Sequence, residues 1–91
     1  MRYAQMHPDD NVVTALMEFS PGDVVHSTDG KEVTVTETIP MGHKIALQAI
    51  GKGDEILKYG QVIGRALQPI GAGALVHVHN VESLRGRGDL G

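Results

Sequence analysis

Val24-Val25-His26-Ser27-Thr28-Asp29-Gly30-Lys31-Glu32-Val33-Thr34-Val35-Thr36 is the stretch that decides how this chain folds. Two β-branched runs flank Asp29-Gly30. An Asp-Gly pair between such runs is the favoured signal for a type I′ hairpin, whose two central residues both need positive φ. C-terminal to it, Pro40, Gly42, Gly51, Gly53, Gly60, Gly64, Pro69, Gly71 and Gly73 recur at short intervals. The segments between them are too short for long helices and read as brief strands joined by tight turns, with a single helical turn near Lys58-Tyr59-Gly60. A last strand is expected over residues 75–81. N-terminal to the hairpin, His7-Pro8-Asp9-Asp10-Asn11 has the chemistry of a turn leading into a helix cap. Val12, Ala15, Leu16 and Phe19 then fall at i, i+3, i+4 and i+7, which predicts a short helix over residues 11–19 with Asp10 or Asn11 as N-cap. Ser20-Pro21-Gly22-Asp23 stops it. No internal repeat stands out.

These signals describe a mainly β domain of short strands with one short helix, spanning residues 1–82. Residues 83–91 form a polar, glycine-interrupted tail expected to be flexible. The bulk numbers agree with one small domain. Ninety-one residues bury only about 60 to 65 % of the surface exposed on unfolding, so the core is thin. With Tyr3, Tyr59 and Phe19 as the only aromatics, that core must be built from aliphatic side chains. The same scarcity removes the stacking platform of single-stranded nucleic-acid binders. A net charge of -3 gives no footprint for nucleic acid or an anionic membrane. No run approaches a membrane span or a signal peptide, and a cytoplasmic location is expected. The absence of cysteine excludes disulfides and thiolate sites, so any metal needs His, Asp or Glu.

Histidines dominate the candidate chemistry. On a regular strand, His77 and His79 share one face of Val76-His77-Val78-His79-Asn80-Val81, close enough to share a metal ion or a carboxylate. The plainer alternative is a pair of solvated imidazoles on a polar face. Asn80 points away on a regular strand, but at a strand end it can turn into the same pocket. His43 and Lys44 follow Gly42, which lets the backbone turn sharply and present them at a loop tip. Lys58 beside Tyr59 sets a cation next to a phenol, a pairing suited to an anionic hydroxylated ligand; on spacing alone, a tyrosine packed on the thin core beside an exposed lysine is the favoured reading. His7 and Asp9 could extend a metal site, although turn duties explain the aspartates. His26 is expected to face solvent. Arg87-Gly88-Asp89 has the form of an adhesion motif and, without a signal peptide, is read as chance. Neither a phosphate loop nor a nucleophile elbow is present.

Four stretches taken together carry a resemblance: HPDDNVVTAL from His7, IPMGHKIAL from Ile39, ILKYGQVIGRA from Ile56 and VHVHNV from Val76. In this order they resemble the N-terminal SAF domain of the altronate and galactarate dehydratases, and the similarly built small subunit of (2R)-sulfolactate sulfo-lyase. The resemblance implies a small β-clip fold. It also implies the small subunit or N-terminal domain of a lyase on sugar acids or related 2-hydroxy acids, a carbon-oxygen hydro-lyase or a sulfo-lyase. Such a chain is active only with a large catalytic subunit whose active site it completes. Divalent metal, iron above all, is the implied cofactor, supplied mainly by that large subunit. On this reading His43 and His79 are the catalytic candidates and His77 and His79 the candidate metal ligands. Lys44, Lys58, Tyr59 and Asn80 would contact the substrate. The alternative is a non-catalytic module that binds a sugar acid or docks onto a partner, one that could self-associate when its partner is absent.

Overall fold

The computed structural model describes residues 2–83, and all of its regular structure is β. Nine short strands follow one another: β1 (Tyr3–Ala4), β2 (Val12–Ala15), β3 (Val24–His26), β4 (Glu32–Thr34), β5 (Lys44–Ala46), β6 (Glu55–Lys58), β7 (Gln61–Ala66), β8 (Leu75–Val76) and β9 (Val81–Ser83). They pair antiparallel in three small sheets, ordered β1-β2-β5-β8, β3-β4 and β6-β7-β9. Among the described residues no helix is long and apolar enough to cross a membrane. Ser83, assigned to the tail by the sequence reading, belongs to β9; the rest of that tail lies outside the described residues.

The helix expected over residues 11–19 is instead strand β2 and the bridge Phe19↔Ile39. Its helical spacing is a coincidence of two extended segments. Val12 and Val13 are both 1 % exposed, because β2 lies between two hydrophobic clusters and buries both of its faces. Val13, Ala15, Phe19, Val25, Val35, Ile39 and Ile45 fill one cluster, while Val12, Ala46, Ile50, Ile56, Ile70 and Val76 fill the other. Consecutive β-branched residues suit a doubly buried strand better than a helix. Leu16, assigned to the buried helical face, is exposed.

A hairpin does form at Asp29-Gly30, with a different turn. The amide of Gly30 donates to the Ser27 carbonyl at 2.9 Å and that of Ser27 to Lys31 at 2.9 Å, so three residues make the loop. Only Gly30, at φ 89°, has positive φ there. This is the type I turn followed by a left-handed glycine. The two-residue turn with positive φ at both positions closes β6-β7 instead, at Tyr59 (φ 57°) and Gly60 (φ 70°), where the sequence had suggested a helical turn.

The structure also contains a repeat. Adding 31 to a residue number carries Phe19 to Ile50, Val25 to Ile56, Ile39 to Ile70 and Gly42 to Gly73, and the hydrogen bonds move with them. Gly22 N–H donates to Val35 as Gly53 does to Ala66, both at 2.8 Å. Gly42 N–H donates to Ala15 as Gly73 does to Ala46, both at 2.8 Å. Asp23 accepts from Ser20 N–H at 2.8 Å and Asp54 from Gly51 N–H at 2.9 Å. The bridges Phe19↔Ile39 and Ile50↔Ile70 correspond as well. Each half thus consists of a glycine turn, a hairpin, a bridging apolar residue, a second glycine turn and a closing strand, packed about its own cluster.

Candidate functional site

The two hairpins accommodate one extra residue differently, and beside the second lies a cleft of about 340 Å³ lined by Lys44, Lys58, Tyr59, Ile63, His77, Val78, Val81 and Ser83. In the first hairpin the extra loop residue sits at the tip. In the second the pairing register shifts between Ile56 and Leu57, leaving Ile63 unpaired on β7. Such a bulge re-aims a side chain, and Ile63 reaches the cleft wall. The shorter tip is thereby left with Tyr59-Gly60.

That tip is clamped from the N-terminal segment. The buried Asp10 carboxylate accepts from Tyr59 N–H at 3.0 Å and Gly60 N–H at 2.8 Å. Asn11, also buried, donates to the Glu55 carbonyl at 2.9 Å and accepts from Leu57 N–H at 2.8 Å, which anchors β6. The two residues read as helix caps therefore hold a hairpin 44 or more positions away in the chain. His7 packs under the same turn: a Cβ on Gly60 would lie 2.9 Å from its ring.

Tyr59 is the one non-glycine residue with positive φ among those described, and it is 60 % exposed. Glycine or asparagine is the ordinary occupant of such a position, since a bulky side chain there is strained. The exposed ring gains little from packing in return. Lys58 lies beside it, with Nζ 5.3 Å from the ring centroid. Strain kept at a cleft edge is characteristic of functional positions.

Lys44 and His77 enter from the four-stranded sheet. Lys44 pairs with Val76 and stands two residues from Ala46, on the face of the second cluster. Extending the β5-β8 register by one position sets His43 opposite His77, and their rings meet with centroids 4.3 Å apart at 53°. Lys44 is half-buried, and desolvation, followed by the charge of Lys58, lowers its pKa below the usual lysine value. The His77 imidazole is lowered too, first by desolvation, then by the charges of His43, Lys44 and His79.

The structure gathers Lys44, Lys58, Tyr59 and His77 from the sequence candidates and adds His43 through its contact with His77. It corrects the geometry offered for the last strand. β8 ends at Val76, and residues 77–80 make a turn closed by Asn80 N–H to the His77 carbonyl at 3.0 Å. His77 and His79 do not share a strand face; His79 is exposed and outside the cleft lining. Asn80 is buried, accepts from His77 N–H at 2.9 Å and donates to the Leu75 carbonyl at 2.8 Å. Its amide is committed to shaping the turn.

A divalent cation does not fit these residues. No group of three His, Asp or Glu side chains placed to hold a metal occurs among the described residues, and no carboxylate lines the cleft. Two lysines there would repel a cation. His7 and Asp9 lie elsewhere, 3.8 Å from each other, with His7 Nδ1 accepting the Asp9 amide at 3.1 Å. His26, exposed as expected, faces Glu32 at 3.5 Å.

The sequence reading missed Asp10 and Asn11 as the clamp, and Ile63, Val81 and Ser83 as cleft wall. Adjacent buried-type acceptors ahead of a β-branched pair were the available sign for the first. Nothing local announces the bulge at Ile63.

Fold and cleft together define a small antiparallel β module that presents lysine, tyrosine and histidine at one opening. The family model described as the altronate/galactarate dehydratase SAF domain matches residues 1–84, and the chain belongs to that family. It is 43 % identical over 83 residues to altronate dehydratase of Escherichia coli (strain K12), an alignment covering 91 % of this chain and 17 % of that protein. To altronate dehydratase of Bacillus subtilis (strain 168) it is 42 % identical over 81 residues, 89 % of this chain and 16 % of the relative. The (2R)-sulfolactate sulfo-lyase subunit alpha of Chromohalobacter salexigens is 43 % identical over 51 residues, 56 % of this chain and 54 % of that subunit. The chain thus spans about a sixth of the altronate dehydratases it matches.

Proposed function

We propose that this chain is the small subunit or N-terminal domain of a lyase acting on sugar acids or related 2-hydroxy acids, and that its cleft completes an active site built mostly by a larger catalytic partner. The observation that carries this reading is Tyr59, held exposed and strained at the cleft by a buried clamp. The names of the relatives support the lyase class. Exposed Met41 and Val78, in the turns bearing His43 and His77, give the rim an apolar surface suited to a partner.

The chemistry follows from the reaction class. Elimination from a 2-hydroxy acid needs a base for the proton α to the carboxylate, stabilisation of the enolate, and an acid for the departing β-group. His77, its imidazole held below the usual histidine value and so neutral at pH 7, is equipped to accept a proton, and the His43 ring packs against it as the second imidazole of the site. On this reading the divalent metal is held by the larger partner. The test removes the matching first domain from an altronate dehydratase and supplies this chain in trans. Altronate turnover should require both pieces. Equal turnover with and without the chain overturns the proposal in favour of a non-catalytic binding or docking module.

A further inference from the structure

We infer that the cleft is the carboxylate-binding end of a 2-hydroxy acid site, with Lys44 and Lys58 as its cationic contacts and the Tyr59 phenol reading an adjacent hydroxyl; the assignment rests on the lyase reading above. Among the described residues neither lysine makes an ion pair, and no carboxylate lines the cleft. A half-buried ammonium facing a second ammonium is electrostatically costly when nothing answers it. Desolvation of Lys44, deepened by Lys58, is the sign of that cost. An anion relieves it. The His77 imidazole and the apolar side chains of Ile63, Val78 and Val81 line the same cleft, and apolar walls beside a charge-assisted contact strengthen it. About 340 Å³ lies at the low end for small-molecule sites, enough for one end of a linear acid whose remainder extends toward a partner.

Tyr59 separates this reading from a mere positive patch. Two lysines alone would attract any anion, including an acidic side chain of the partner. A phenol kept in left-handed backbone beside them supplies the hydroxyl-directed donor and acceptor that a free hydroxy acid uses. The fold does not require that side chain, because glycine at the position would relieve the strain.

The experiment is a ¹⁵N NMR titration of the full chain with gluconate, and with glucitol and acetate at equal concentrations. Gluconate should give saturable shifts centred on residues 43–44, 58–59 and 77–78. Glucitol should give none, and acetate should bind at least several-fold more weakly. Lys44→Met should raise the gluconate Kd about tenfold or more, the scale of one charge-assisted contact. Tyr59→Gly should weaken gluconate binding while melting at or above the wild-type temperature, so that a loss of affinity is not a loss of fold. Absence of saturable shifts, equal effects of glucitol or acetate, or full affinity in Tyr59→Gly overturns the inference. Where turnover in trans succeeds and gluconate binding fails, only the carboxylate assignment falls.

Discussion

Gly22, Gly42, Gly53 and Gly73 occupy matching turns in the two halves, all with φ between 85° and 96°, yet only one of them has a neighbour in the way. A Cβ on Gly22, Gly42 or Gly53 meets nothing within 4 Å. Alanine at these three positions is opposed only by the left-handed backbone, about 1–2 kcal/mol, partly offset by the stiffer unfolded chain. At Gly73 a Cβ would lie 1.9 Å from the Thr34 carbonyl oxygen and 3.2 Å from Val35 Cα. Both are backbone atoms and cannot rotate away. Relief requires moving the turn from the end of β4, which disrupts the bond from Thr36 N–H to the Gly73 carbonyl at 3.0 Å. Adding about 1–3 kcal/mol for overpacking and about 1 kcal/mol for the hydrogen bond gives a loss of about 3–5 kcal/mol for Gly73→Ala. A domain of this size has about 5–13 kcal/mol in total. Urea denaturation of the four alanine variants measures the series, and the melting point of Gly73→Ala should fall by about 15 °C or more. A loss for Gly73→Ala within about 1 kcal/mol of that for Gly42→Ala refutes the close approach of the Gly73 turn to the end of β4.

Asp10→Ala removes both acceptors of the Tyr59-Gly60 turn and should cost about 2–4 kcal/mol in urea denaturation, with increased amide exchange at residues 58–60. A loss under about 0.5 kcal/mol would show that the tip holds itself. His77 binds its proton less readily when folded than when unfolded, so the unfolded state carries more protons below pH 6.5. Its contribution is therefore complete above pH 6.5 and is lost on acidification from there through the lowered folded pKa. His77→Gln should flatten the acid side of a Tm-against-pH curve relative to wild type; identical slopes between pH 5 and 7 contradict the assigned direction.

How much of this was legible varies with the kind of signal. Asp29-Gly30 marked a hairpin correctly because positive φ is needed somewhere in any tight connection, but dipeptide chemistry does not say whether two or three residues close it. Tyr59-Gly60 was misread for the opposite reason: tyrosine seldom takes left-handed backbone, so a residue held there against its preference by Asp10 is invisible to propensity. Val12-Val13 lost its strand signal because a doubly buried strand shows no alternation. The repeat escaped because its sequence trace is sparse, a few apolar and glycine positions 31 residues apart, while most of what recurs is hydrogen bonding. Val35 becomes Ala66 and Val33 becomes Gly64, while the pattern of an apolar residue followed three positions later by a left-handed glycine persists at Phe19, Ile39, Ile50 and Ile70. The cleft residues were legible as residue types and not as a set, since the β5-β8 register and the bulge at Ile63 bring them together.

The repeat also relates the two hairpins to each other. Two hairpins of equal length have distributed one extra residue differently, into the loop at Gly30 and into the bulge at Ile63. In the first half the N-terminal segment holds the tip, with Gln5 accepting from Thr28 N–H at 2.8 Å. The same N-terminal segment then reaches across through Asp10 to hold the second tip. One short segment therefore braces both hairpins, and the second keeps its lysine-lined opening beside the strained tyrosine. The two repeats are thus tied by one N-terminal segment, and the Asp10 carboxylate is its contact with the second tip.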